Sequence, residues 1–210
     1  VNPGTWTGIA SIQVTLENGT WHMCSGTLIS RRWVLTAARC FTTAEDVHKW
    51  KVVLGATDLA QPGREAEVFQ IKRVLKHKHY DHDSERNNIA LVELEQPVEC
   101  SDYIQLGCVP DRSIAVAELK TCYIAGWRAT PESESSQECS PGVVGTGRAM
   151  LAAAPDPSLL AQGDSGGPLV CKDNTMEKFW LVGLASWGRG CARARRPGIF
   201  TSTQHFHTWI

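Results

Sequence analysis

The chain has 210 residues, 42% hydrophobic and 20% charged, enough apolar material for one sizeable globular unit or two small ones sharing an interface, which excludes global disorder. A formal charge of −1 leaves no electrostatic footprint for nucleic acid or an anionic membrane, so no nucleic-acid partner is expected. No stretch approaches the length of a membrane span, and the residues from Val1 onward carry neither a basic leader nor an apolar signal core.

In chain order, short apolar runs predict strands at Ile9 to Val14, Thr27 to Ile29, Trp33 to Leu35, Val52 to Leu54, Val68 to Val74, Ala90 to Leu94 and Phe179 to Trp187. Each is of strand length, rich in Val, Ile, Leu and aromatics, and bounded by Gly, Pro, Asn or Asp, as in an all-β sandwich or barrel. One region breaks the pattern: Arg128 to Pro157 is built of small and polar residues with little alternation and reads as a long loop. Unstructured loops of that length are uncommon in compact domains, so the segment is expected to be abnormal or disordered. The one late helical candidate is Gln204 to Ile210.

Eight cysteines with no CxxC pair and no Cys/His cluster at metal spacing read as disulfides formed in an oxidising compartment, hence secretion or a secretory vesicle. Asn18-Gly19-Thr20 is a glycosylation sequon that agrees with this compartment. No metal or cofactor is expected. His77, His79 and His82 lie in a stretch that reads as a solvated surface loop, because the nearby carboxylates do not converge at a ligand spacing. The basic run Arg189 to Arg196 reads as a solvated loop or as a guide for an anionic partner such as a glycan, and the eight tryptophans as core or cleft residues.

Several ordered blocks carry more information than composition. They are Ser11-Ile12-Gln13, Cys24-Ser25-Gly26-Thr27-Leu28-Ile29, Trp33-Val34-Leu35-Thr36-Ala37-Ala38, Asn88-Ile89-Ala90-Leu91, Cys122-Tyr123-Ile124-Ala125-Gly126-Trp127, Gln162-Gly163-Asp164-Ser165-Gly166-Gly167-Pro168 and Gly183-Leu184-Ala185-Ser186-Trp187-Gly188. On these blocks the chain resembles the chymotrypsin/trypsin family of serine endopeptidases, and the run Gly190-Cys191 to Phe200-Thr201 resembles the acrosin branch within it. The resemblance implies a fold of two six-stranded antiparallel β-barrels with a cleft between them, the first over about residues 1–100 and the second over about 101–210. The stretch between Trp127 and Gly163 is shorter than the family requires, so a truncated second barrel is one expectation.

The resemblance also implies disulfides Cys24–Cys40 and Cys122–Cys171. The cysteine that would pair with Cys191 is replaced by Ala161, and Cys139 has no assigned partner. Cys100 and Cys108 stand where acrosins link to a separate light chain, so they are expected to be unpaired, paired with each other, or held for that chain.

Site residues follow from the same alignment of motifs. Ser165 stands at the nucleophile, with the amides of Gly163 and Ser165 as the oxyanion hole. Arg39 stands where the family has its histidine and Asn88 where it has its aspartate. A guanidinium stays protonated and offers donors but no acceptor, so Arg39 cannot take the serine proton, and an amide cannot stabilise an imidazolium as a carboxylate does. The Arg39 head group, lacking a carboxylate beside it at Asn88, is expected to swing into the open cleft and obstruct substrate. Leu159 falls at the floor of the primary specificity pocket, where an apolar side chain would reject Lys and Arg, while Ser186, Trp187, Gly188 and Gly198 keep the form of the pocket walls and of an edge for an extended peptide.

In the family a freshly cut amine inserts beside the aspartate at position 164. Val1-Asn2-Pro3-Gly4 lacks that motif, and His22 stands where some members hold this aspartate in the inactive precursor. Three readings follow. The first is an impaired protease homologue that binds protein or peptide in its cleft, the second an active serine endopeptidase with altered, non-basic specificity, and the third a decayed or mis-assembled product.

Overall fold

The computed structural model describes residues 4–42, 46–128, 149–153, 165–187 and 199–210, with the side chains of 128, 149–153 and 187 excepted. Eleven strands carry these residues, and no α-helix occurs among them. The first six are β1 (Ile9–Leu16), β2 (Gly19–Ser30), β3 (Trp33–Thr36), β4 (Trp50–Leu54), β5 (Glu67–Lys76) and β6 (Ala90–Leu94). They close an antiparallel barrel in the order β1-β2-β3-β6-β5-β4. All of the first six predicted apolar runs lie inside these strands.

Alternation explains the closure. Along β1, Ala10, Ile12 and Val14 point inward with Leu28, Val34, Val52, Leu54, Ile71, Val92 and Leu94 from the other strands, and Phe41 and Trp50 seal the barrel's end. The Cys24–Cys40 disulfide ties β2 to the 3-10 turn Ala38–Phe41 that follows β3.

The later strands are β7 (Thr121–Arg128), β8 (Ala149–Ala153), β9 (Pro168–Asp173), β10 (Lys178–Trp187) and β11 (Ile199–Ser202), arranged as a five-stranded sheet in the order β11-β10-β9-β7-β8. Among the described residues this second unit is an antiparallel sheet of five strands, which agrees with the all-β, trypsin-like fold expected. The segment read as a structureless loop needs correction, because Ala149–Ala153 pairs with β7 from Arg128↔Ala149 to Ile124↔Ala153. Its Ala-Met-Leu-Ala-Ala run has no polar alternation to betray it, and backbone pairing at a sheet edge supplies the order. The rest of 128–157 lies outside the described residues. Cys122–Cys171 crosslinks the paired strands β7 and β9 at their register position.

Gln204 to Ile210 forms consecutive turns and not a helix: the amide of Phe206 donates to Thr203 and those of Trp209 and Ile210 donate to Phe206. Seven residues cannot repay the cost of nucleating a helix unaided. Phe206, Trp209 and Ile210 instead pack on the cluster of Leu35, Ile89, Leu91, Leu181 and Leu184, which joins the barrel to the sheet. That seam carries the site.

Candidate active site

Three chain segments meet at the junction. Ser25 of β2 donates its amide to the carbonyl of Ser165 at 3.0 Å, Gly166 donates to Ala185 of β10 at 2.8 Å, and Ala185 returns a bond to Gly167 at 2.8 Å. Gly166 has φ +79, and a Cβ placed there would lie 2.1 Å from Thr36 Oγ1, 2.4 Å from the Ser25 carbonyl and 2.9 Å from the Ala37 amide. Only glycine fits this left-handed position between barrel and sheet. Ala37, whose amide faces Gly166, and the next residue Ala38 are both fully buried. Ser165, half-buried, is thereby fixed beside the turn that carries Arg39.

Asn88 sits between the loop ending at Asn87 and strand β6, and is 1% exposed. Its Oδ1 accepts the backbone N–H of Arg39 at 2.9 Å, while its Nδ2 donates to Ser186 Oγ at 2.9 Å; Thr201 Oγ1 donates to its carbonyl at 3.0 Å. The donor at Arg39 assigns the amide orientation, since only Oδ1 can accept it. Asn88 is thus a satisfied buried amide that joins the Arg39 turn to Ser186, itself 2% exposed at the end of β10.

The Arg39 head group, expected to lack a carboxylate beside it at Asn88, has one from another position. A carboxylate that the sequence reading did not consider, Glu85, stands 3.5 Å from Arg39 Nη1. The Glu85 side chain is 11% exposed and that of Arg39 is 37% exposed. Glu85 also accepts a hydrogen bond from Tyr80 Oη at 3.1 Å, and burial, followed by the Glu85 charge, raises the Tyr80 phenol well above its ordinary range. The loop that delivers Glu85 is braced by Asp81, which accepts from the amide and hydroxyl of Ser84, and by Asn87 Nδ2 on the His79 carbonyl. Glu85 adopts φ +55, strained for its side chain, and Asn87 φ +56, a left-handed conformation that asparagine tolerates. The guanidinium is therefore held by a counter-charge on the loop preceding Asn88.

Of the predicted site residues, Ser165, Arg39, Asn88 and Ser186 come together here, and Trp187 continues the same strand. Gly163, Leu159, Gly188 and Gly198 lie outside the described residues, as do Asp164, Cys139, Cys191 and the basic run from Arg189 to Arg196. Cys24–Cys40 and Cys122–Cys171 form as the resemblance implies, and Cys100 and Cys108 are free thiols. Buried His22 accepts or shares a proton with Ser11 Oγ at 2.7 Å and packs edge-on against Trp127.

The histidine loop also differs from expectation at one residue. His77 is half-buried, its ring 5.3 Å from both the Phe206 and Trp209 rings. His79 and His82 are exposed. Desolvation, then the charges of His79 and Lys78, lowers the His77 pKa from its ordinary value of 6.5. Above 6.5 the residue is neutral folded or unfolded, and its full contribution is present; below it the unfolded chain takes up the proton first, so stability falls as pH drops toward the folded value. Denaturation curves at about pH 7.5 and pH 5 should show this loss, and His77→Phe should shrink it. A His77 titration at or above 6.5 by NMR would contradict the assignment.

Among the described residues no group of three His, Cys, Asp or Glu could hold a metal ion, and no helix is long and apolar enough to cross a membrane. The chemistry available at the junction is that of the Ser165 and Ser186 hydroxyls, a guanidinium paired with the Glu85 carboxylate, and an amide. It supplies hydrogen-bond donors in abundance and, at Arg39 and Asn88, no group able to take a proton at neutral pH.

Comparison with known proteins agrees with this architecture. A family model described as Trypsin matches residues 2–210. A rat protein named Transmembrane protease serine 9 is 34% identical over 216 residues, covering 94% of this chain but 20% of the relative, so the chain spans about a fifth of that relative's length. With a six-stranded barrel, a second antiparallel sheet and Ser165 to Gly167 pinned between them, the chain belongs to the trypsin family of serine proteases, whose reaction is proteolysis.

Proposed function

We propose that this chain is a single trypsin-family domain in which peptide-bond hydrolysis is abolished or strongly impaired and whose cleft serves to bind a protein or peptide segment. The observation that carries this reading is the bonding of Arg39: its backbone is fixed by Asn88 and its head group by Glu85, at the place where the family's base would stand. A serine hydroxyl needs an adjacent acceptor to become a nucleophile, and a guanidinium is not one. What is left is the oxyanion hole and binding, worth about 10³–10⁴ over water in the well-studied members.

The acrosin-like run near residues 190–201, an apolar pocket floor at Leu159, and a secreted or acrosomal location belong to the same proposal. So do a light chain attached through Cys100 or Cys108 and a glycan on the basic run. Free thiols at both cysteines are compatible with a missing crosslink partner. The tight seam at Gly166 and the satisfied Asn88 favour a folded binding module over a decayed product. An active endopeptidase of non-basic specificity is the rival.

Incubation with peptide esters and amides carrying apolar or basic residues before the scissile bond decides between them. The expected result is intact substrate by mass spectrometry at times when an active relative has finished. Hydrolysis that disappears in Ser165→Ala would support the rival instead.

A further inference from the structure

The sequon Asn18-Gly19-Thr20 takes no part in the junction, and the fold gives it a definite place. It is the one Asn-Xaa-Ser/Thr sequence in the chain, since Asn2, Asn87, Asn88 and Asn174 have Gly, Ile, Ala and Met two positions on. β1 and β2 form an antiparallel hairpin whose last pair is Leu16↔Gly19, so Glu17 and Asn18 make the turn between them. Every residue from Thr15 to Thr20 is exposed. Gly19 turns at φ +132, a region that favours glycine, and a Cβ built on it would meet nothing within 4 Å. The middle of the sequon therefore opens on solvent.

The Asn18 side chain is oriented. Trp21 Nε1 donates to its Oδ1 at 3.1 Å, and because an indole N–H only donates, the atom it meets is the oxygen. Trp21 is in turn seated against the barrel core. Among the described residues no acceptor takes Asn18 Nδ2, the amide nitrogen. Cys24–Cys40 and Cys122–Cys171 are bonds of an oxidising compartment, the setting in which sequons are glycosylated.

We infer that Asn18 carries an N-linked oligosaccharide. Nδ2 bonds to the anomeric carbon of a sugar delivered on a polyprenyl diphosphate. The new C–N bond replaces the C–O bond to diphosphate, one Nδ2 proton is lost, and the lipid diphosphate leaves without any redox change. Oδ1 survives as an acceptor, so the Trp21 bond is kept, and the bulky polar product enters solvent with no buried contact to lose. Ser25, whose amide bonds the Ser165 carbonyl, lies six residues along β2 from Gly19, about 20 Å at strand rise. The attachment point is thus outside the junction, and independent of whether the cleft binds anything.

The test expresses the whole chain behind a cleavable secretory leader in cultured animal cells and reads its intact mass with and without peptide N-glycosidase. The secreted chain should carry an oligosaccharide-sized excess that the enzyme removes. Asn18→Gln and Thr20→Ala should each abolish the excess, whereas Thr20→Ser, which keeps the sequon, should retain it. The enzyme should also act on the folded protein without denaturant, because the turn is exposed. An unmodified secreted chain, an excess that survives Asn18→Gln, or one released only after unfolding would each overturn the assignment. Translation of the same variants with microsomes reads attachment independently of folding. There a glycosidase-sensitive shift in the wild-type chain but not in Asn18→Gln supports the site, and no shift in the wild-type chain contradicts it.

Discussion

The paired substitution Arg39→His with Asn88→Asp should raise the rate of Ser165 modification by a fluorophosphonate at least about 10³-fold. The reasoning rests on how little must move. Asn88 already accepts the amide of residue 39 and already touches Ser186 Oγ. An aspartate there keeps the first bond, and Ser186 need only rotate its hydroxyl to donate instead of accept. The backbone of residue 39 is fixed by the Cys24–Cys40 disulfide and by the same carboxamide, so an imidazole enters a prepared position. The single variants should fall far short. Arg39→His alone lacks the carboxylate that sets its tautomer, a defect of about 10⁴ in the well-studied triad, and Asn88→Asp alone still has no base. A fluorophosphonate makes little use of the specificity pocket, so the outcome reports on the triad rather than on Leu159. A silent double variant would show that the fault extends beyond residues 39 and 88.

Gly166→Ala should be the most damaging single methyl group at the seam. The added Cβ would have to displace Thr36 Oγ1 at 2.1 Å and two backbone atoms at 2.4 and 2.9 Å, all from the first barrel, while the residue itself keeps φ +79. Strain of the left-handed backbone is of order 1 kcal/mol or more, and overpacking adds about 1–3 kcal/mol. A loss of about 3 kcal/mol corresponds to a fall in Tm of about 6–12 °C for a domain of this size. A variant that melts within about 2 °C of the parent would mean that the seam is looser than its contacts imply.

How much of this was readable beforehand differs by residue. The first-barrel strands were legible because stretches such as Ile9 to Val14 and Ala90 to Leu94 are buried on both faces and read as short, largely apolar runs in a local window. β8 was not, since Ala149–Ala153 owes its order to pairing with β7 across a gap in sequence. At the site, the family resemblance implied that Ser165, Arg39, Asn88 and Ser186 lie side by side. It missed Glu85, which reaches Arg39 only because the loop before Asn88 turns through positive φ at Glu85 and Asn87. Side-chain size and charge do not announce such a turn. The chemical need for a carboxylate near a poorly solvated guanidinium was the one available clue, and Glu85, three positions before Asn88, was the nearest candidate on that segment.

His77 teaches the same lesson. As one of three histidines in a polar stretch it read as solvated, yet the chain's last residues fold back and cover it. Long-range packing, invisible in a local window, decided its environment.

The proposed function stands or falls with Ser165 lacking a base. Intact-protein mass spectrometry after exposure of the folded wild-type chain to a fluorophosphonate tests it most directly. The predicted result is no adduct beyond that seen in Ser165→Ala, whereas a stoichiometric adduct confined to Ser165 would contradict it.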